Sequence, residues 1–292
     1  MNTDKDIDNR VELSTKDRLK FLWLLLTYKL IAPFECQNHR ITVLLREFLF
    51  VFHTFTKFRY LRYLSKKVIK LKTNFGEFYI RDINIDWLIA SPAFERQDLN
   101  KLLSIIETFL KQHPNNKVIF IDIGASIGKF TVSVGKFFRN YANRLKIFSF
   151  EPNLASFELL TKNIRLNRLK NVEAFNLAIS SRKKKLRFFF YEPMQMIVSF
   201  WTPQEVVINV DTIDRILGKQ VNSNTILFVK LDVEGHELEA LEGMKNIINK
   251  ADESHLLVED SAEKTKNILR IYLFRNFKFD RKITPHNSFW FK

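Results

Sequence analysis

Lys230, Asp232, Glu234 and His236 fall on alternate positions of one run, Val229-Lys230-Leu231-Asp232-Val233-Glu234-Gly235-His236-Glu237. The residues before it, Ile226-Leu227-Phe228, read as a strand buried on both faces. A charge inside such a strand is expensive unless it is paired or put to use. Side-chain alternation places Lys230, Asp232 and Glu234 on one side of the strand. A lysine and a carboxylate so placed can form an ion pair with no chemistry, or they can handle a substrate proton. Histidine titrates near neutrality, so His236 is one candidate base; Asp232 or Glu234 is the other, alone or through a bound cation. The sequence does not choose between these bases, and no metal-ligand set is assigned from it.

A second group of residues could hold a small molecule. The apolar run Val118-Ile119-Phe120-Ile121 ends in Asp122 and breaks into Gly124-Ala125-Ser126-Ile127-Gly128 before Lys129-Phe130-Thr131 starts a helix. Gly124 and Gly128 permit a tight turn and close backbone approach, and the helix N-terminus presents free N–H groups. Asp122 decides between ligands. A carboxylate two positions ahead of the first glycine repels a pyrophosphate but attracts the ammonium and sulfonium of S-adenosylmethionine. The spacing Asp-x-Gly-x-x-x-Gly also departs from the dinucleotide pattern Gly-x-Gly-x-x-Gly. The next apolar run, 145–150, ends in Glu151-Pro152-Asn153. Glu151 stands 27 residues after Gly124, near the roughly 20 expected of an acid that accepts hydrogen bonds from both ribose hydroxyls. Pro152 ends that strand and Asn153 is placed to cap the following helix. Asn176 and the small Ala178 close the third run, where an adenine edge could meet an amide and backbone groups.

These positions require a regular frame. The pattern predicts strands at 117–122, 145–150, 171–177, 226–232 and 254–259, with further strands near 277–281 and 287–291. Helices are expected at 99–110, 127–139, 154–167, 236–249 and 262–271, with an insertion between the third and fourth strands. Such alternation implies an α/β fold with a mainly parallel sheet covered on both faces and a ligand at the carboxyl ends of its strands. Upstream, residues 14–34 and 41–64 read as helices with broad apolar faces, and Phe75-Gly76-Glu77-Phe78 reads as a short strand pair or turn. The expected division is a basic, aromatic-rich helical extension over 1–72 and a catalytic domain over 73–292.

At 292 residues and 46% hydrophobic content the chain can bury one α/β domain and an additional segment. Its single cysteine, Cys36, excludes an internal disulfide and a cysteine-cluster metal site, and it lies too far upstream to be the nucleophile that cytosine C5 methylation requires. The net charge of +15 is uneven: residues 1–72 hold 15 Lys or Arg against 7 Asp or Glu. That bias favours an anionic partner. Helices bearing Trp23, Phe48, Phe50, Phe52 and Phe55 beside these charges suit either a cap on the catalytic domain or peripheral contact with a membrane surface. The acidic N-terminus and the absence of a spanning apolar run lead us to expect a cytoplasmic protein, peripheral on the cytoplasmic membrane face where it meets lipid.

Asp-Ile-Gly-Ala-Ser-Ile-Gly at 122–128, Phe-Glu-Pro-Asn at 150–153, Val-Asp-Thr-Ile-Asp at 210–214 and Val-Lys-Leu-Asp-Val-Glu-Gly-His-Glu at 229–237 together resemble the FkbM family of S-adenosylmethionine-dependent methyltransferases. The resemblance covers about residues 78–260. It implies a Rossmann-like class I methyltransferase fold, a seven-stranded sheet with one antiparallel strand, and methylation of a hydroxyl, frequently on a sugar or polyketide. It also matches Glu95, in Phe94-Glu95, to a family acid that precedes the cofactor turn. A small-molecule, glycan or glycolipid acceptor is therefore expected. Two other functions compete with this one. The basic surplus suggests a nucleic-acid methyltransferase, against which stand the missing Asn-Pro-Pro-Tyr-like tetrapeptide and the missing cysteine nucleophile. A cofactor-binding adaptor without catalysis is the third.

Overall fold

The apolar runs that flank the charged positions become neighbouring strands of a single sheet. The computed structural model describes residues 68–81, 86, 89–91, 94–190, 204–260, 266–284 and 286–292. The helices expected at 14–34 and 41–64 lie outside these residues. Of the described residues, those up to Arg96 belong to one compact unit and the rest to a second.

In the first unit, β1 (Val68–Thr73) and β2 (Gly76–Arg81) form an antiparallel hairpin with Val68 opposite Arg81. Thr73 closes its turn: the hydroxyl donates to the Gly76 carbonyl at 3.1 Å and accepts from the Phe75 N–H at 3.2 Å. The boundary expected at 72/73 falls inside β1, so a cut there would separate hydrogen-bonded strands.

Helix α1 (Arg96–Gln112), in the second unit from Gln97 on, leads into β3 (Lys117–Ile123), α2 (Lys129–Phe137), β4 (Leu145–Phe150), α3 (Leu154–Leu166) and β5 (Val172–Phe175). After an inserted segment come β9 (Thr225–Leu231), α5 (Glu237–Glu242), α6 (Lys245–Lys250), β10 (Glu253–Glu259), α7 (Lys266–Asn276), β11 (Lys278–Lys282) and β12 (Asn287–Phe291). The sheet order is β11-β12-β10-β9-β3-β4-β5. Only β12 runs against its neighbours, being antiparallel to both β10 and β11. The strand sequence reverses between β3 and β9, which makes the carboxyl ends of those two strands the crevice of the fold. Every residue of β9 is buried, and Ile121, Ile123, Phe148, Phe150, Val229, Leu231, Leu256 and Val258 share one apolar core. Each such side chain contributes about 1.5–3 kcal/mol by burial.

The insertion folds into a second sheet, of order β6-β8-β7, from β6 (Ala178–Ile179), β7 (Lys184–Phe190) and β8 (Gln204–Asp211). Helix α4 (Ile213–Leu217) follows, capped by the Thr212 hydroxyl, which accepts from the Arg215 N–H at 3.1 Å. The single helix expected over 236–249 is in fact two. A Cβ at Gly243 would lie 2.0 Å from the Ser180 carbonyl oxygen, so the chain passes that point without a side chain. A new helix then starts under the Asp214 carboxylate, which accepts from the N–H groups of Asn246 (3.0 Å) and Ile247 (2.9 Å). The helix expected at 262–271 is described from Lys266 to Asn276, with Leu269 and Leu273 turned into the core.

Candidate active site

Three residues of the turn after β3 take left-handed backbone: Gly124 (φ 81°), Ser126 (φ 50°) and Gly128 (φ 91°). A Cβ at Gly124 would lie 1.8 Å from the Asp232 carbonyl oxygen, and one at Gly128 would lie 2.6 Å from Leu160 Cδ1. Sequence reasoning reserved this space for a ligand; the neighbours that demand glycine here are β9 and α3. The Gly124 and Ala125 N–H groups both donate to the Phe150 carbonyl at 3.0 Å, locking the turn to the end of β4. Asp122 is buried at the end of β3. Its Oδ2 accepts from the Thr131 N–H (3.0 Å) and hydroxyl (2.6 Å), and that hydroxyl also shares a 2.6 Å hydrogen bond with Ser149 Oγ. Oδ1 has no hydrogen-bond partner among the described residues. Burial pushes this carboxyl above the usual aspartate range, against the Lys230 ammonium and the Thr131 hydrogen bonds, which pull it down. A buried acceptor left without a donor costs about 1–3 kcal/mol. The site therefore suits a ligand that brings an ammonium group, as the methionine portion of S-adenosylmethionine does.

Glu151 follows β4 and is buried. Its Oε2 accepts from the Ser126 N–H and its Oε1 from the Asn153 N–H, each at 2.8 Å. A carboxylate has about four acceptor positions, so bracing the turn is compatible with holding ribose hydroxyls. Asn153 caps α3, its side chain accepting from the Ser156 N–H at 3.0 Å. Asn176 donates to the carbonyls of Glu151 (2.8 Å) and Pro152 (3.0 Å), so its amide pins this loop. Ala178 opens β6 and pairs with Val210 of β8. Glu95 lies in the first unit, in left-handed backbone with φ 48°.

Beside the turn, Lys230 is the register partner of Asp122 across β3 and β9. Its ammonium donates to Asp232 Oδ2 at 2.7 Å and stands 4.8 Å from the centre of the Phe130 ring. Asp232, Glu234 and Glu259 can each bring a carboxylate oxygen within 4.8 Å of the others, a spacing at which three hard oxygen donors could share a cation. Although burial works to raise it, the Lys230 ammonium and hydrogen bonds with Glu259 and Lys230 hold the Asp232 carboxyl below its usual range. Glu234 moves the other way: burial, then the Asp232 and Glu237 carboxylates, push it up against the pull of Lys230. His236 has both ring nitrogens near partners, Nε2 3.0 Å from Ser180 Oγ and Nδ1 3.5 Å from Glu239 Oε2.

Two acids escaped assignment as site residues. Glu237 is buried, and its Oε1 accepts from the N–H groups of Val233 (3.2 Å) and Gly235 (3.0 Å), supporting the turn in which Glu234 is left-handed with φ 54°. Glu259 stands next to Asp232 because Val258 pairs with Leu231 in the parallel register. That an acid ends the fifth strand is visible in the sequence; its pairing with Asp232 is what the register adds.

The comparisons with known proteins agree with this geometry. A family model, the methyltransferase FkbM domain, matches residues 122–279, more than half of the chain. A protein named Methyltransferase 1 from Beauveria bassiana (strain ARSEF 2860) is 24% identical over 180 residues, covering 53% of this chain and 70% of that protein. Among solved structures, M. jannaschii TYW2 in complex with AdoMet has 15% identity and a TM-score of 0.39, covering 77% of this chain and 83% of that one. An rRNA methylase from Streptococcus thermophilus has 12% identity and a TM-score of 0.36, covering 68% and 94%. Neither structural likeness is close enough to carry an argument. The motif match, the mainly parallel seven-stranded sheet and the turn built around Asp122 are sufficient: the chain belongs to the FkbM family of S-adenosylmethionine-dependent methyltransferases.

Proposed function

We propose that this methyltransferase acts on a hydroxyl of a sugar, glycan or glycolipid, with Glu234 as the general base. The observation that carries the reading is the meeting of Asp232, Glu234 and Glu259 at the strand ends beside the cofactor turn. Carboxylates accept hydrogen bonds from the hydroxyls of a polyol. The same three acids repel a phosphate backbone. When bound, the cofactor supplies an electrophilic methyl group on a cationic sulfur, so the protein's own task is to align an oxygen and take its proton. Asp122 and Glu151 would hold the cofactor's amino-acid and ribose ends. Glu234, whose residue reaches solvent while its carboxyl is raised by partial burial and by the Asp232 and Glu237 carboxylates, suits the proton-accepting role. Asp232, paired with Lys230 and lowered, is the weaker base and suits orienting the acceptor. With its ring nitrogens engaged, His236 is better placed to hold the Ser180 region. Among the described residues no helix is long and apolar enough to cross a membrane. The single Cys36 supports a cytoplasmic location.

The net charge of +15 favours one other reading, methylation of a nucleic acid. Both are tested by incubating the full-length protein with methyl-labelled S-adenosylmethionine and, separately, oligosaccharides, glycolipid extracts and total RNA. Label on a glycan hydroxyl, lost in Glu234→Gln while cofactor affinity is kept, is expected. Label on RNA alone would overturn the glycan reading, and full turnover by Glu234→Gln would remove the proposed base.

A further inference from the structure

Among the described residues nothing covers one face of helix α7. Leu269 and Leu273 turn inward at 1% and 0% exposure, whereas Ile268, Ile271 and Phe274 are 60%, 51% and 63% exposed. Spacings of three residues set these three along one side of the helix. The stripe continues onto the edge strand β11 through Phe279, 44% exposed, whose ring centre lies 6.0 Å from that of Phe274. Both rings rest on the buried Trp290, at 4.8 and 4.9 Å, so the patch is rigidly mounted. Contiguous exposed apolar surface of this kind marks an interaction site.

Charge narrows the choice of partner. Residues 267–282 carry five Lys or Arg and one acid, Asp280. Three of the five have carboxylate partners: Arg270 and Lys282 at Asp260, and Arg281 at Asp280. Arg275 and Lys278, both exposed, have none among the described residues, but Lys278 turns to the face of β11 opposite Phe279, its ammonium 6.0 Å from the centre of the Phe291 ring, which leaves Arg275 as the cation beside the stripe. A second copy of the chain docked face to face here would bring two such basic rims together, and the residues 1–72 carry the same sign. RNA would satisfy the cations and leave two isoleucines without apolar partners. Only a surface that is apolar within and anionic at its margin matches both features.

We propose that α7 and β11 form a membrane-docking face that lays Ile268, Ile271, Phe274 and Phe279 into the headgroup–acyl boundary of an anionic bilayer, with Arg275 at phosphate level. The proposal is independent of which acceptor is methylated. It also differs from contact through residues 1–72, because it names a surface on the catalytic unit.

The test is sedimentation of the full-length protein with phosphatidylcholine vesicles, with and without phosphatidylglycerol, at low and raised salt. The wild type should bind the anionic vesicles only and be released by salt. Ile271→Ser/Phe274→Ser should bind about tenfold more weakly or worse, since burying the exposed parts of the two side chains together contributes about a tenfold factor or more. Arg275→Glu, which alters a single exposed position, should also weaken binding, and it provides the answer if the apolar variant does not fold. Cofactor affinity, measured by calorimetry, should be unchanged in both. Failure of the wild type to bind, or wild-type binding by folded variants, overturns the proposal. So does a wild-type dimer that the apolar variant converts to monomer while vesicle binding persists, and so does retention on RNA without retention on vesicles.

Discussion

Replacing Lys230 by methionine removes the ammonium that sits 2.7 Å from Asp232 and 4.8 Å from the Phe130 ring centre while keeping an unbranched stem in its place. The lysine side chain is 5% exposed and that of Asp232 is 26% exposed. Breaking a fully buried pair costs about 3–5 kcal/mol. One partner here keeps part of its hydration, which lowers the expectation to about 2–4 kcal/mol, the cation–π contact included. The pH dependence gives an independent check. Lys230 holds the Asp232 carboxyl down, so the pair's stabilisation is fully present above the ordinary aspartate value, near 3.9, and is lost as pH falls through the lowered folded value. Urea unfolding of wild type and Lys230→Met should therefore differ by about 2–4 kcal/mol at pH 7, and the gap should narrow on acidification below about pH 4. A double-mutant cycle with Asp232→Asn should show a coupling of about 1–3 kcal/mol. A variant as stable as the wild type at pH 7, or a gap that does not change with pH, would refute the claim that this pair holds the strand end together.

Gly124→Ala places a methyl group 1.8 Å from a backbone oxygen in a residue with φ 81°, so we expect loss of soluble folded protein, read by circular dichroism and yield. Glu151→Gln keeps the shape but loses the charge, and calorimetry should show cofactor affinity falling by about 1–3 kcal/mol; a loss of stability with unchanged affinity would confine Glu151 to bracing the turn. Any residual rate of Glu234→Gln should lack the acid limb of the wild type. In the wild type that limb should lie above about pH 4.3, rate rising with pH as the raised carboxyl loses its proton.

Strands were legible in the sequence wherever burial is complete: β4 occupies the expected 145–150 and β9 lies one residue from its expected place. The helix pair α5 and α6 was not, because the break between them is set by Asp214, a carboxylate more than 30 residues upstream whose contact no local pattern records. The insertion hid its sheet for a similar reason, since β6 is two residues long and takes its identity from pairing with β8. The motif Val210-Asp211-Thr212-Ile213-Asp214 read as part of a functional signature, yet its polar residues serve the framework. Asp211 clamps Arg215, Thr212 caps α4 and Asp214 starts α6. The acids Asp122, Glu151 and Asp232 were recognisable because each ends an apolar run. Glu237 was not, since its neighbours are backbone N–H groups, which every residue has.

The contact between Gly124 and the Asp232 carbonyl bears on how such an enzyme can be re-engineered. The turn proposed to hold the cofactor and the strand end proposed to face the acceptor meet backbone to backbone, with no side chain between them to absorb a mismatch. On that proposal, acceptor preference would not be transplanted by exchanging the 232–237 segment alone between relatives. A chimera would have to carry residues 122–128 with it, as one cassette, or select afresh for the fit between the two.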